Sequence, residues 1–492
     1  MTILRSLAMA LPLCLGSSLL TAQASSTQSP SSSDHQKRIE QIETCIPPPV
    51  IVKGEPVVCS TLAKRMADLH IPGVSIAILH NGVLEEAKGY GVAQLGGEPV
   101  TVNTLFQAGS ISKPLAAMAA LHQVQLGKLS LDTDVNRFLT SWKVPESTAA
   151  PSATVTLREL LTHTAGFTVH GFPGYAANTP VPSLVQVLEG QKPANTAPIR
   201  LESVPGSKWN YSGGGYTAMQ QMLVDGAKLP FPQLLHDTVL APIGMTHSTY
   251  EQPLPSALQS NAATPYSPDG SAIPGGAHTY PEMAAAGLWT TPSDLVRYII
   301  ENQQSLQGKA NHVLTRELTQ QMLTAGKGNW GLGLQIGGSA ANPYFSHGGS
   351  NAGFESYFIG YENSGDGAVV MTNGQRGGLL ASEIIRSIAA AYDWPDFHPP
   401  VRIPVKMDRD VLARYVGTYE YSPSFSVTYT LEGDQLMTQA SNQAKFPVFP
   451  ESDRKFFMKV VDAEIEFFTD DKGQVIYLIL SQNGQQIKEM KK

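Results

Sequence analysis

The sequence predicts an α+β body, an antiparallel sheet flanked by helices with an added helical lobe, followed by a small all-β barrel. Three observations predict it. Strand-like runs stand at both ends of a long helical middle, the first two of them are joined by Asn81-Gly82, and beyond a proline-rich stretch only short strand-like runs remain. The length fits this division, since 492 residues exceed one ordinary core and suit two or three domains.

Residues 1–24 read as a cleavable signal peptide, with Arg5, an apolar run from Leu7 to Leu20, and Ala22-Gln23-Ala24 as the cleavage site. Pro12 and Gly16 interrupt the run, which is short for a membrane span. A periplasmic or secreted chain with no stable span is expected. Cleavage leaves Cys45 and Cys59, and an even pair bound for an oxidising compartment is expected to form a disulfide. Residues 25–40 open on a Ser/Thr/Gln/Pro-rich run and are expected to be a disordered leader, with the body spanning 41–395.

Within that body a helix-like stretch near Leu62–Leu69 leads into VSIAILHNGVLEEAKGYGVA, a hairpin at the edge of a sheet. Helical patterns such as LAAMAALHQVQLG and TLRELLTH then alternate with Gly/Pro/Asn-rich loops, and strands return at NWGLGLQI, FESYFIGY and GAVVMTN before the helix ASEIIRSIAAAY. Prolines in DWPDFHPPVRIPVK mark a linker over 396–408. From 409 to 492 seven short runs, from YVGTYEY to VIYLIL, alternate with turn residues as in a small barrel.

A formal charge of −7 without a Lys/Arg cluster leaves nucleic acid without an electrostatic footprint, so small molecules or peptides are the expected substrates. There is no H-E-x-x-H, and neither a metal nor a cofactor is expected. No G-x-S-x-G nucleophile elbow occurs, the nearest match being Gly348-Gly349-Ser350-Asn351-Ala352. Nothing in the sequence sets an oligomeric state.

Chemistry gathers at Ser110-Ile111-Ser112-Lys113, followed by Pro114 and a helical pattern ending at Gly127. Proline is tolerated only in a first helical turn, so Pro114 places Ser110 and Lys113 at a helix start, on one face. The positive helix end favours an alkoxide on Ser110 and disfavours a proton on Lys113. For Lys113 to act as a neutral base near pH 7, its pKa must fall by about 3, which calls for desolvation and a second polar group. Ser452-Asp453-Arg454-Lys455 has the same spacing but lies among charges with no apolar helix behind it, and reads as a solvated turn. Two further segments carry candidate groups: Trp209-Asn210-Tyr211-Ser212-Gly213 at the entry to a Gly-rich loop, and Ser346-His347-Gly348-Gly349-Ser350, whose glycines expose backbone N–H groups.

Together these segments resemble the serine β-lactamase and penicillin-binding-protein superfamily, most closely its class C, esterase and D-peptidase branch. S-x-x-K is followed about 100 residues later by a Y-x-N-type element, and about 136 residues beyond that by an H-x-G element. Connecting segments such as GKLSLDTDVNRFL, VTLRELLTHTAGF and AAGLWTTPSDLVRYI are similar too, so the resemblance covers roughly residues 60 to 395. The tail resembles the lipocalin-like module appended to such hydrolases.

The resemblance implies Ser110 as nucleophile, Lys113 as its proton partner and Tyr211 as general base and acid. It implies backbone N–H groups of Ser110 and Ser350 as the oxyanion hole, and Ser212, His347 and Gly349 in contact with substrate. Two positions depart from the family pattern. Gly213 stands where an asparagine often grips the acyl side chain, and His347 where β-lactamases commonly carry lysine. The expected function is an acyl-enzyme hydrolase of esters, D-amino-acid peptides or small amides. The alternatives are a class C-like β-lactamase, or a catalytically weak binding or assembly protein on the same fold.

Overall fold

The computed structural model describes residues 32–422, 425–441, 443–482 and 485–492. The expected signal peptide lies outside them. Six antiparallel strands organise the larger body: β1 (Gly73–His80), β2 (Val83–Gly91), β3 (Gln335–Gly338), β4 (Pro343–Asn351), β5 (Phe354–Tyr361) and β6 (Gly367–Thr372), in the spatial order β2-β1-β6-β5-β4-β3. Asn81 and Gly82 close the β1–β2 hairpin with φ of 53° and 79°, the left-handed pair that a two-residue turn favours. Ala77 and Leu79 of β1 point into one core, whereas Val74, Ile76 and Ile78 point into another. Burial on both faces explains why β1 reads as a nearly unbroken apolar run.

Five longer helices matter for the site: α1 (Ser32–Thr44), α2 (Ser112–Gln125), α3 (Gly213–Ala227), α4 (Pro292–Leu306) and α5 (Gly377–Ala391). α1 and α5 pack on one face of the sheet, through Ile39 and Ile42 against Ile384 and Ile388. On the other face, α2 runs through the largest core and is buried at every position from Ser112 to Leu121, a helix apolar all round rather than along one stripe. Among the described residues no helix is long and apolar enough to cross a membrane.

The expected leader is corrected over its second half, because Ser32–Thr44 is helical. Ile39 and Ile42 lie three apart and give this polar stretch enough of an apolar stripe to dock. Immediately after it Cys45 and Cys59 form a disulfide, S–S 1.99 Å. The expected linker is also tied down, since Val401–Arg402 pairs in parallel with Ile51–Val52.

The tail closes as an eight-stranded antiparallel barrel, β7 (Gly417–Ser422), β8 (Phe425–Glu432), β9 (Gln435–Ala440), β10 (Lys445–Pro450), β11 (Lys455–Met458), β12 (Ala463–Thr469), β13 (Val475–Gln482) and β14 (Gln485–Lys491). Seven of these are legible as apolar runs. β14 is not, because the positions that pair with inward-facing Leu480 and Leu478 are Ile487 and Glu489, so one of the two is charged. The barrel abuts the larger body where Val50 and Val52 pack on Phe457 and Lys459 pairs with Glu55 at 2.7 Å.

Candidate active site

Ser110 sits in the 3-10 turn Gly109–Ile111 that feeds directly into α2. Gly109 has φ 52°, and a Cβ there would lie 2.5 Å from the backbone nitrogen of Ser350, so only glycine lets the turn meet β4 this closely. Gly349 is its counterpart, since a Cβ there would fall 1.9 Å from the Ala108 carbonyl oxygen. The Ser112 hydroxyl locks the turn, donating to the Gly109 carbonyl at 2.6 Å and accepting from the Leu288 N–H at 2.9 Å.

Lys113 Nζ lies 3.0 Å from Ser110 Oγ and donates to the Ala285 carbonyl at 2.8 Å. Its side chain is one of the largest in the molecule to be fully enclosed, and burial brings its pKa down to about 7. Desolvation accounts for the shift, with no second charge behind it. Nζ also stands 4.9 Å from the centroid of the Tyr211 ring. Burial raises the Tyr211 phenol well above its usual range, and a hydrogen bond with Ser110 pulls the other way.

His347 is 2% exposed and neutral. Burial, reinforced by the charge of Lys113, lowers its pKa to about 3. Nδ1–H donates to the Gly348 carbonyl at 2.6 Å, which leaves Nε2 as a bare acceptor, buried and without a partner among the described residues. His163 is the complement. Its Nδ1 accepts the Ser212 N–H at 3.1 Å, so the neutral ring carries its proton on Nε2, also buried and unpartnered. Its ring lies 4.2 Å from that of Tyr211 and 5.1 Å from that of Trp330, and Trp330 in turn lies 5.3 Å from His347.

The structure thus brings Ser110, Lys113, Tyr211, His347, Gly349 and Ser350 together. Ser212 is placed behind them, with its hydroxyl capping α3 through the Gly215 N–H at 3.1 Å and donating to the Thr168 carbonyl at 3.1 Å. That engagement gives the hydroxyl a supporting role within the fold. At Gly213 a Cβ would come 2.8 Å from the Phe172 ring, so the space an asparagine would use is occupied. The second S-x-x-K match is a turn, in which Ser452 accepts from the Lys455 N–H and Lys455 pairs with Glu464 at 2.9 Å.

His163 and Trp330 were not singled out from sequence, although both lie in segments quoted above. Glu355 was not either; it accepts from the Ser350 hydroxyl at 2.7 Å, and burial raises its carboxyl to about 7. A half-buried glutamate within a strand carries no sequence signal of its own.

An antiparallel sheet whose inner strand passes a serine and a buried lysine at a helix start defines the class, that of the penicillin-binding and β-lactamase serine hydrolases. The beta-lactamase family profile matches residues 59–393, and the chain belongs to that family. Residues 401–491 match a domain of unknown function (DUF3471). The chain is 29% identical over 250 residues to a beta-lactamase of Pseudomonas fluorescens and 28% identical over 247 residues to one of Yersinia enterocolitica, in each case over 50% of its own length. These matches span 64% and 58% of the two relatives, less than two thirds of either. The octameric penicillin-binding protein homologue from Pyrococcus abyssi shares the fold at TM-score 0.59 and 20% identity, over 87% of this chain and 98% of that one.

Proposed function

We propose that this chain is an exported serine hydrolase that works through an acyl-enzyme on Ser110 and acts on esters, D-amino-acid peptides or small amides. The observation that carries the reading is the 3.0 Å contact between Ser110 Oγ and a lysine whose pKa burial has brought to about 7. A neutral Lys113 accepts the hydroxyl proton as Oγ bonds to the substrate carbonyl carbon, taking the base role expected of Tyr211, whose phenol burial keeps protonated. The oxyanion is received by the N–H groups of Ser110 and Ser350, adjacent because Gly109 lies against Ser350. Tyr211, which keeps its proton at rest, gives it to the leaving group and is resupplied by Lys113. Water then attacks the acyl-enzyme by the reverse relay, releasing product and restoring Ser110.

Substrate choice follows from two features. The neutral His347 offers no fixed positive charge to a substrate carboxylate, and Phe172 fills the side-chain-gripping position beside Gly213. Both count against β-lactams and, among the proposed substrates, favour uncharged esters and small amides over peptides that end in a free carboxylate. The competing reading, a β-lactamase, is favoured by the Pseudomonas and Yersinia relatives bearing that name. Export is supported by the signal-like first 24 residues and by the Cys45–Cys59 disulfide.

Turnover of p-nitrophenyl esters, D-Ala-D-Ala peptides and nitrocefin by one preparation ranks these readings. The proposal expects kcat/KM for the ester or D-peptide to exceed that for nitrocefin. The reverse order replaces it with the β-lactamase reading.

A further inference from the structure

A barrel of eight strands is just wide enough to hold one small ligand, or is filled by its own side chains. One end of this barrel is: Tyr415, Tyr419, Phe456 and Phe467 pack ring against ring, with centroids 4.7 to 5.5 Å apart. The other end is not. Beyond the aromatic plug lies a cavity of about 350 Å³, lined mostly by apolar side chains that include Val427, Met458, Ile465 and Leu480, with neutral polar groups from Thr438 and Gln443 and the small Ala440 and Ala463 where larger residues would close it. That volume lies within the range of small-molecule sites.

One charged side chain enters this space. Glu489 of β14 lines the cavity, is 1% exposed, and has no hydrogen-bond partner for either carboxylate oxygen among the described residues. Burial raises its carboxyl to about 7. The basic residues on the same strand are engaged elsewhere, with Lys488 Nζ 4.0 Å from the centroid of the Tyr477 ring and Lys491 donating to the Arg414 carbonyl at 3.3 Å. A buried carboxylate without a partner is costly, and the cost falls most when a cation pairs with it inside the low-dielectric space. An anion is repelled, and a neutral donor leaves the charge uncompensated.

We propose that the barrel cavity is a binding site for a small amphiphilic amine, whose apolar body fills the space beside Met458 and Leu480 and whose ammonium pairs with Glu489. The site is independent of Ser110.

Titration calorimetry of the full chain at pH 8 with 4-phenylbutylamine, 4-phenylbutanol and 4-phenylbutyric acid tests it. The amine is expected to bind at least about tenfold tighter than the alcohol, as befits a charge-assisted contact, and the acid not at all. Glu489→Gln is expected to erase the preference for the amine while leaving the alcohol's affinity within about twofold, Ala463→Phe to abolish all binding, and Ser110→Ala to remove hydrolysis while leaving the amine's affinity as it was. Absence of saturable amine binding, or an amine no tighter than its alcohol in the unmodified chain, overturns the proposal whether or not the variants fold. Equal amine affinity in a folded Glu489→Gln protein, or amine binding lost on Ser110→Ala, also overturns it.

Discussion

Lys113 Nζ stands 3.0 Å from Ser110 Oγ in an environment almost closed to water, and the closure is what brings its pKa down to about 7. In solvent an amine with the usual lysine pKa would be protonated at neutral pH and unable to take a proton. Enclosure by α2, the short helix Met283–Ala286 and the aromatic rings removes that obstacle, while the Ala285 carbonyl fixes the direction of Nζ.

The same burial makes Lys113 a stability liability. A lysine whose pKa is lowered by folding contributes fully only above its unfolded value of 10.5, and that contribution is lost as pH falls toward 7. Lys113→Met is therefore expected to raise stability at pH 7 by about 4 kcal/mol in urea unfolding while lowering kcat/KM at least about 100-fold. A destabilised variant that kept its activity would oppose both assignments.

Activity should follow the neutral form of Lys113. kcat/KM is expected to rise about tenfold per pH unit below 7 and to level off above it. Glu355 titrates in the same range beside Ser350, so Glu355→Gln separates the two. The acid limb is expected to survive that substitution and to survive His347→Asn, because His347 stays neutral down to about pH 3.

Phe172 is expected to control access for acyl side chains. Gly213→Asn alone should lower Tm by several degrees, because its Cβ meets the Phe172 ring at 2.8 Å. Adding Phe172→Ala should recover Tm and raise the rate of acylation by a labelled penicillin about tenfold, followed by gel fluorescence. An unchanged rate in the double variant would show that the missing asparagine does not limit β-lactam acylation.

Gly349→Ala tests the packing of the nucleophile turn on β4. With a Cβ 1.9 Å from the Ala108 carbonyl oxygen, the strand must withdraw, and a loss of about 1 to 3 kcal/mol together with a fall in kcat is expected. Retention of both would place the turn elsewhere.

What the sequence reveals and conceals follows from how each residue acts. Ser110, Lys113, Tyr211 and His347 are legible because short spacings and neighbouring glycines mark them, and Pro114 turns a frequent tetrapeptide into a helix start. His163 is concealed because its position depends on a left-handed backbone, φ 56°, that folds the chain back under Tyr211. α1 hides because two isoleucines suffice to dock a polar helix, and β14 hides because Glu489 stands where an apolar residue would announce a barrel strand.

The central claim is that Ser110 forms the acyl-enzyme, and one measurement bears on it most directly. The protein is treated with a fluorophosphonate and, in parallel, with a labelled penicillin, and any adduct is located by peptide mass spectrometry. A fluorophosphonate adduct on the peptide containing Ser110, absent from the Ser110→Ala variant, is the predicted result. No adduct at Ser110 with either reagent would contradict the account.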